Sequence, residues 1–158
     1  MFFYDQNGSE LFEEITRLEE YYPPKVEIPL LRSTARKFNG ELKGCDLVEL
    51  GSGDCSKISV FLDEVSKEIR QTLVYYPVDV SREAIEKSAR ILRTRYPEMG
   101  LHGLNADFLE HIETIPGNRK RFFCFFGSTI GNLTKVKAME FMTNLGKVMN
   151  NGDRLILG

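Results

Sequence analysis

The amino-acid sequence predicts an α/β fold, a parallel sheet with helices on both faces, preceded by N-terminal helices. Two observations predict it. From residue 46 onward, short apolar runs alternate with segments of helix period, the pattern of strands joined by crossover helices. The strand-like runs are almost continuously apolar, as in Phe122 to Phe126, which suits strands buried on both faces. The 158 residues, 42% apolar and 28% charged, suffice for one soluble domain with a single core.

Residues 1–40 read as a helical segment and 41–158 as the sheet-bearing domain. Ser9 can cap a first helix that carries Leu11, Ile15 and Leu18 on one face. Tyr21-Tyr22-Pro23-Pro24 breaks it, because the residue before a proline disfavours helical geometry. A second helix runs through Ile28, Leu31 and Ala35 and stops near Asn39-Gly40. Asp46 to Leu50 is the first strand and Gly51-Ser52-Gly53-Asp54 a loop. Ile58, Phe61, Leu62, Val65 and Ile69 then mark one helix. Leu73 to Val78 is a strand ending in Asp79, and Ser81 caps the next helix, which buries Ile85, Ala89 and Leu92. Leu101 to Leu104 is a weaker strand before Asp107, and Arg121 to Phe126 an aromatic one. Thr134 caps a helix with Met139, Met142, Leu145 and Met149 on one side, and Asn151-Gly152 turns into a last strand, Arg154 to Leu157.

Charge and cysteine content exclude several functions. The net charge is -2, and the densest basic cluster, Arg90 to Arg95, has three cations on a helix; it reads as a solvated face, which argues against nucleic acid. Cys45, Cys55 and Cys124 form no C-x-x-C pair, and His102 and His111 are not spaced with them as metal ligands. A reduced, cytoplasmic setting is expected, with no metal and no membrane span. Cys55 reads as a small loop residue rather than a reactive thiol.

Ligands on such sheets bind beyond the carboxyl ends of the strands. Glycine in the Gly51 to Gly53 loop lets the backbone approach a ligand closely. A dinucleotide fingerprint would need glycine where Ser56 stands, and no P-loop lysine follows at the right spacing. Both features disfavour a nicotinamide- or flavin-dependent oxidoreductase and a nucleotide triphosphatase. Asp79 can accept from both hydroxyls of a ribose, since Ser81 already suits the capping role. Asp107 could accept from an adenine amine, with the Phe108 amide donating to the ring. Glycine loop, acid after the second strand and acid after the third together form the pattern of class I methyltransferases.

The chain then resembles one family in particular. Phe3 to Phe12 and Ile15 to Pro23 are similar to the N-terminal signature of the histidine-specific Nα-methyltransferases, the ergothioneine-pathway type. Val48 to Gly53 with Ser56-Lys57, Pro77 to Ser81, Ala106 to Phe108 and Gly127 to Thr134 resemble the family's further segments. The resemblance implies a Rossmann-like domain, S-adenosyl-L-methionine as cofactor, and methylation of the α-amino group of histidine or a related amino acid. By resemblance Gly51, Gly53, Lys57, Asp79, Asp107 and Phe108 hold the cofactor. Tyr21 and Asn132 hold the amino-acid head group, with Tyr4 and Gly127 close by. Because the family continues past the position of Gly158, a partial chain is expected, with C-terminal strands missing and an exposed sheet edge that invites self-association. The competing reading is a cofactor-binding fragment that is inactive without its other half.

Overall fold

The computed structural model describes residues 23–158. The expected first helix around Leu11 to Leu18 lies outside them, as do Tyr4 and Tyr21. Helix α1 spans Pro23–Phe38 and passes into a 3-10 turn, Asn39–Leu42. The two prolines therefore open this helix, where a missing N–H is harmless. Strand β1 (Asp46–Leu50) is followed by α2 (Ser56–Asp63), a short α3 (Lys67–Arg70) and β2 (Val74–Asp79). Then come α4 (Arg82–Arg95), β3 (Gly100–Leu101), β4 (Leu104–Asn105), β5 (Arg121–Phe125), α5 (Lys135–Val148) and β6 (Arg154–Leu157).

All pairings are parallel, in the order β3-β2-β1-β5-β6, with β4 also on β2. Chain progression reverses direction between β1 and β5, which makes their carboxyl ends the topological switch point. Alternate residues of the strands feed two cores. Leu47, Phe122 and Cys124 face α1, α2 and α4 through Leu31, Phe61 and Leu92. Val48, Phe123 and Phe125 face α5 through Phe141 and Leu145. Helices thus cover both faces, as the apolar strands predict.

Three local expectations are corrected. The single helix over Ile58 to Ile69 is two helices, because Ser66 is extended (φ -65, ψ 152) and its N–H donates to Asn39 Oδ1. Val65 and Ile69 still reach the core side, so periodicity survives a break it cannot reveal. The strand over Leu101 to Leu104 is two short pieces, β3 and β4, each pairing with β2. Of the side of α5 expected to carry Met139, Met142, Leu145 and Met149, Leu145 is buried and Met149 packs against the same core, but Met139 and Met142 are exposed and Phe141 is buried instead. Phe141 and Leu145 lie one helical turn apart, and the larger aromatic surface takes the inward face. Among the described residues no helix is long and apolar enough to cross a membrane, and no cluster of His, Cys, Asp or Glu could hold a metal ion.

Candidate functional site

The loop after β1 turns sharply over the end of β2. The N–H groups of Gly51 and Ser52 both donate to the Val78 carbonyl, at 2.8 and 3.2 Å. Gly51 and Gly53 have φ of +70 and +52, values that side-chain-bearing residues avoid. Space is not what excludes a Cβ at Gly51, since it would lie an ordinary 3.5 Å from Phe108 Cε1. Cys55 also adopts φ +59 and precedes α2. Its thiol is buried, and burial pushes its pKa up, which fits the structural reading of this cysteine.

Asp79 closes the loop from the other side. Its Oδ2 accepts from the Gly53 N–H at 3.0 Å, and its Oδ1 accepts from the Ser81 N–H at 2.9 Å. The cap of α4 is Ser81, whose hydroxyl accepts from the Ala84 N–H at 3.2 Å. A carboxylate has about four acceptor positions, so Asp79 keeps capacity for a ligand's hydroxyls while pinning the glycine loop. The Ser88 hydroxyl adds a bond to the Gly53 carbonyl at 2.9 Å.

The segment after β4 is tied to the same strand end. The Asn105 amide donates to the carbonyls of Asp79 and Val80 at 3.0 and 2.9 Å, and the Ala106 N–H donates to Asp79 O at 3.1 Å. These bonds set Asp107 beside the end of β2. Asp107 Oδ1 accepts from the Leu109 N–H at 2.9 Å, which stiffens the turn. The Phe108 ring packs edge-on against Phe125 and Phe141, with centroids 5.3 and 5.7 Å away. Nothing in the sequence singled out Asn105; a polar residue at a strand end is its only signal.

The loop after β5 completes the rim. Gly127 has φ +77 and Ser128 φ +55 before the 3-10 turn Thr129–Asn132. The Thr129 hydroxyl donates to Phe126 O at 3.0 Å, and the Ser128 N–H to Gly158 O at 3.1 Å. Asn132 is exposed at the end of that turn. Lys57, in the first turn of α2, places its ammonium over Gly127, where a Cβ would lie only 2.2 Å from Nζ. Glycine is favoured there by φ, and any side chain would push the Lys57 ammonium aside.

Two acids that sequence reasoning gave no role belong to the site's frame. Glu27 of α1 accepts from the Gly127 N–H with Oε1 at 2.6 Å and pairs with Lys57 Nζ through Oε2 at 3.2 Å. Glu49 lies on β1 directly below the glycine loop and accepts from the Tyr75 hydroxyl at 2.5 Å. Burial pushes the Glu49 carboxyl up to about 8, against the lowering effect of the Tyr75 bond. The structure therefore brings Gly51, Gly53, Lys57, Asp79, Asp107, Phe108 and Gly127 to the carboxyl ends of adjacent strands. Backbone amides, two carboxylates and an ammonium gathered at strand ends suit a nucleoside bearing an amino-acid tail.

Comparison with known proteins shows the family and the fold. The family model described as histidine-specific methyltransferase, SAM-dependent, matches residues 1–158. The histidine N-alpha-methyltransferase of Mycobacterium tuberculosis is 39% identical over 158 residues, covering 99% of this chain and 48% of that protein. That of Mycolicibacterium smegmatis is 36% identical over 156 residues, with coverage of 99% and 48%. The chain thus spans about half the length of these curated relatives. Among solved structures, an S-adenosylmethionine-dependent methyltransferase from Clostridium acetobutylicum shares the fold with a TM-score of 0.57 at 15% identity, covering 94% of this chain and 56% of that one.

Proposed function

Because the chain belongs to the SAM-dependent histidine-specific methyltransferases, we propose that it carries the cofactor-binding half of an enzyme that methylates the α-amino group of histidine or a related amino acid. The observation that carries this reading is the convergence of the Gly51 to Gly53 loop, Asp79 and Asp107-Phe108 on one rim. The cofactor we assign is S-adenosyl-L-methionine, which supplies a methyl group on a positively charged sulfur. The amine lone pair forms the new N–C bond as the C–S bond breaks, leaving the neutral thioether, and the amine gives up a proton.

In this reading the chain's residues bind and orient. Asp79 accepts from the ribose hydroxyls, and Asp107 with the Phe108 amide reads the adenine edge. The glycine loop admits the methionyl tail, and Lys57 offers its ammonium to the tail's carboxylate. Tyr21 and Asn132, with Tyr4 and Gly127 nearby, hold the amino-acid head group; Tyr4 and Tyr21 enter by family resemblance alone. Alignment of amine, methyl and sulfur is the main catalytic contribution, and alignment can supply roughly 7–11 kcal/mol. A cytoplasmic setting fits three buried free thiols.

Because the relatives are about twice as long, a second reading assigns this span cofactor binding without turnover of its own. Calorimetric titration with S-adenosylhomocysteine, alone and with histidine, tests both. Saturable binding with no response to histidine supports a cofactor half whose substrate half lies elsewhere. A stronger response with histidine present supports a site that already admits the amino acid. A folded sample that binds neither ligand overturns the cofactor assignment.

A further inference from the structure

The contact that ties the rim together is made by a residue of the N-terminal helix. Glu27 touches two segments far away in sequence, the start of α2 through Lys57 and the loop after β5 through the Gly127 N–H. Its side chain is 14% exposed and that of Lys57 29%, so the pair is largely withdrawn from solvent. A carboxylate that uses one oxygen on an amide and the other on an ammonium fixes their separation. The ammonium occupies space beside residue 127 that is open only because this residue is glycine. The far end of the same helix pair is joined separately. Arg32 Nη1 and Arg36 Nε donate to the Glu64 carboxylate at 2.6 and 2.7 Å. Leu31 and Ala35 of α1 also share a core with Ile58, Phe61 and Leu62 of α2, so the anchorage of α1 on α2 does not rest on Glu27 alone.

We propose that Glu27 is a positioning residue, which holds the Lys57 ammonium and the Gly127 amide in one fixed relation so that the cofactor-facing and substrate-facing loops are preorganised by a single carboxylate. This rests on the assignment of Lys57 to the cofactor's carboxylate. A lysine side chain is flexible, and restraining it before the ligand arrives lowers the ordering cost of binding. Glu27 acts on the ligand through Lys57 and is not itself in contact with the reacting atoms.

A double-mutant cycle reads this directly, by titrating S-adenosylhomocysteine into the unmodified chain, Glu27→Gln, Lys57→Met and the double variant, with thermal midpoints measured in parallel. Glu27→Gln keeps an acceptor for the Gly127 N–H but removes the charge. The expected results are roughly tenfold weaker binding in each single variant and no further loss in the double variant. Equal losses that add in the double variant, or that track the thermal midpoint alone, reduce Glu27 to a structural residue and overturn the proposal. Tighter binding by Glu27→Gln also overturns it, since Glu27 would then be a competitor for Lys57. Unchanged affinity in Lys57→Met removes the assignment on which the proposal rests, and so distinguishes that failure from failure of Glu27 alone. Glu27→Asp retains the charge with a shorter reach, and an affinity between those of the unmodified chain and Glu27→Gln is expected. If Glu27→Gln does not fold, this comparison decides: affinity unchanged from the unmodified chain overturns the proposal.

Discussion

Asp79 carries two duties that a single substitution would separate. Its carboxylate receives the N–H groups of Gly53 and Ser81, and in the proposed site it also receives the ribose. Asp79→Ala is expected to abolish measurable S-adenosylhomocysteine binding, since bonds to a charged acceptor contribute about 1.5–3 kcal/mol each. The fold should survive, because the two cores do not involve this side chain; unchanged affinity in calorimetry would remove the ribose assignment. Glu49 makes a prediction about pH. Its folded-state pKa of about 8 lies above the ordinary 4.5, so between these values the folded chain keeps a proton that the unfolded chain has lost. The stabilisation is full below about pH 4.5, falls as pH rises toward about 8, and levels off above that. Urea midpoints at pH 5, 6.5 and 8 should fall in that order, and Glu49→Gln should flatten the trend. At Gly127, alanine would need φ +77 and would displace the Lys57 ammonium. A loss of about 1 kcal/mol or more in denaturant unfolding is expected.

Among the elements, α5 shows how a helix chooses its buried face. Phe141 meets Phe108 and Phe125 in a cluster of edge-on rings, 5.7 and 5.2 Å between centroids. Truncation to alanine is expected to cost about 3–5 kcal/mol, visible as a large drop in the urea midpoint. Met139→Ala, on the exposed face, should leave the midpoint nearly unchanged, within about 0.5 kcal/mol. The contrast matters for the site, because the same rings support Phe108 beside the glycine loop. The opposite end of the sheet is held by ions. Arg121 and Asp153 are both buried and paired through Nε and Nη2 at 2.9 and 2.8 Å. The Asp153 carboxylate also accepts from the Arg121 N–H at 2.7 Å, and Arg121 Nη2 donates to Val148 O as well. Asp153→Ala would leave an uncompensated buried guanidinium, at a cost of about 3–5 kcal/mol.

At the scale of the whole molecule, β6 is the outermost described strand on its side and pairs with β5 alone. Leu157 is half exposed there, and Val136 and Met139 are exposed on α5. An open parallel edge with apolar neighbours can template pairing with another chain. Self-association of this chain at micromolar concentration is expected, and sedimentation velocity of Leu157→Lys should show less of it. A concentration-independent monomer for the unmodified chain would count against the edge as an association surface.

The amino-acid sequence by itself determined the order of elements and the strand ends on which the site residues stand. Apolar runs, helix period and caps are local signals, and Ser81 and Thr134 cap as their positions predict. It also carried the family: Val48 to Gly53, Pro77 to Ser81 and Gly127 to Thr134 resemble that family's segments, and the family model matches residues 1–158. Tertiary structure decided what depends on distant partners. The break at Ser66 comes from Asn39, and the inward face of α5 comes from rings on β5 and beside Asp107. The elevated Glu49 carboxyl comes from desolvation among strands that meet only in the folded sheet. Glu27 shows the limit most clearly. Its partners, Lys57 and Gly127, are brought to it by the reversal of strand order between β1 and β5, and no periodicity along the chain encodes a contact across 100 residues.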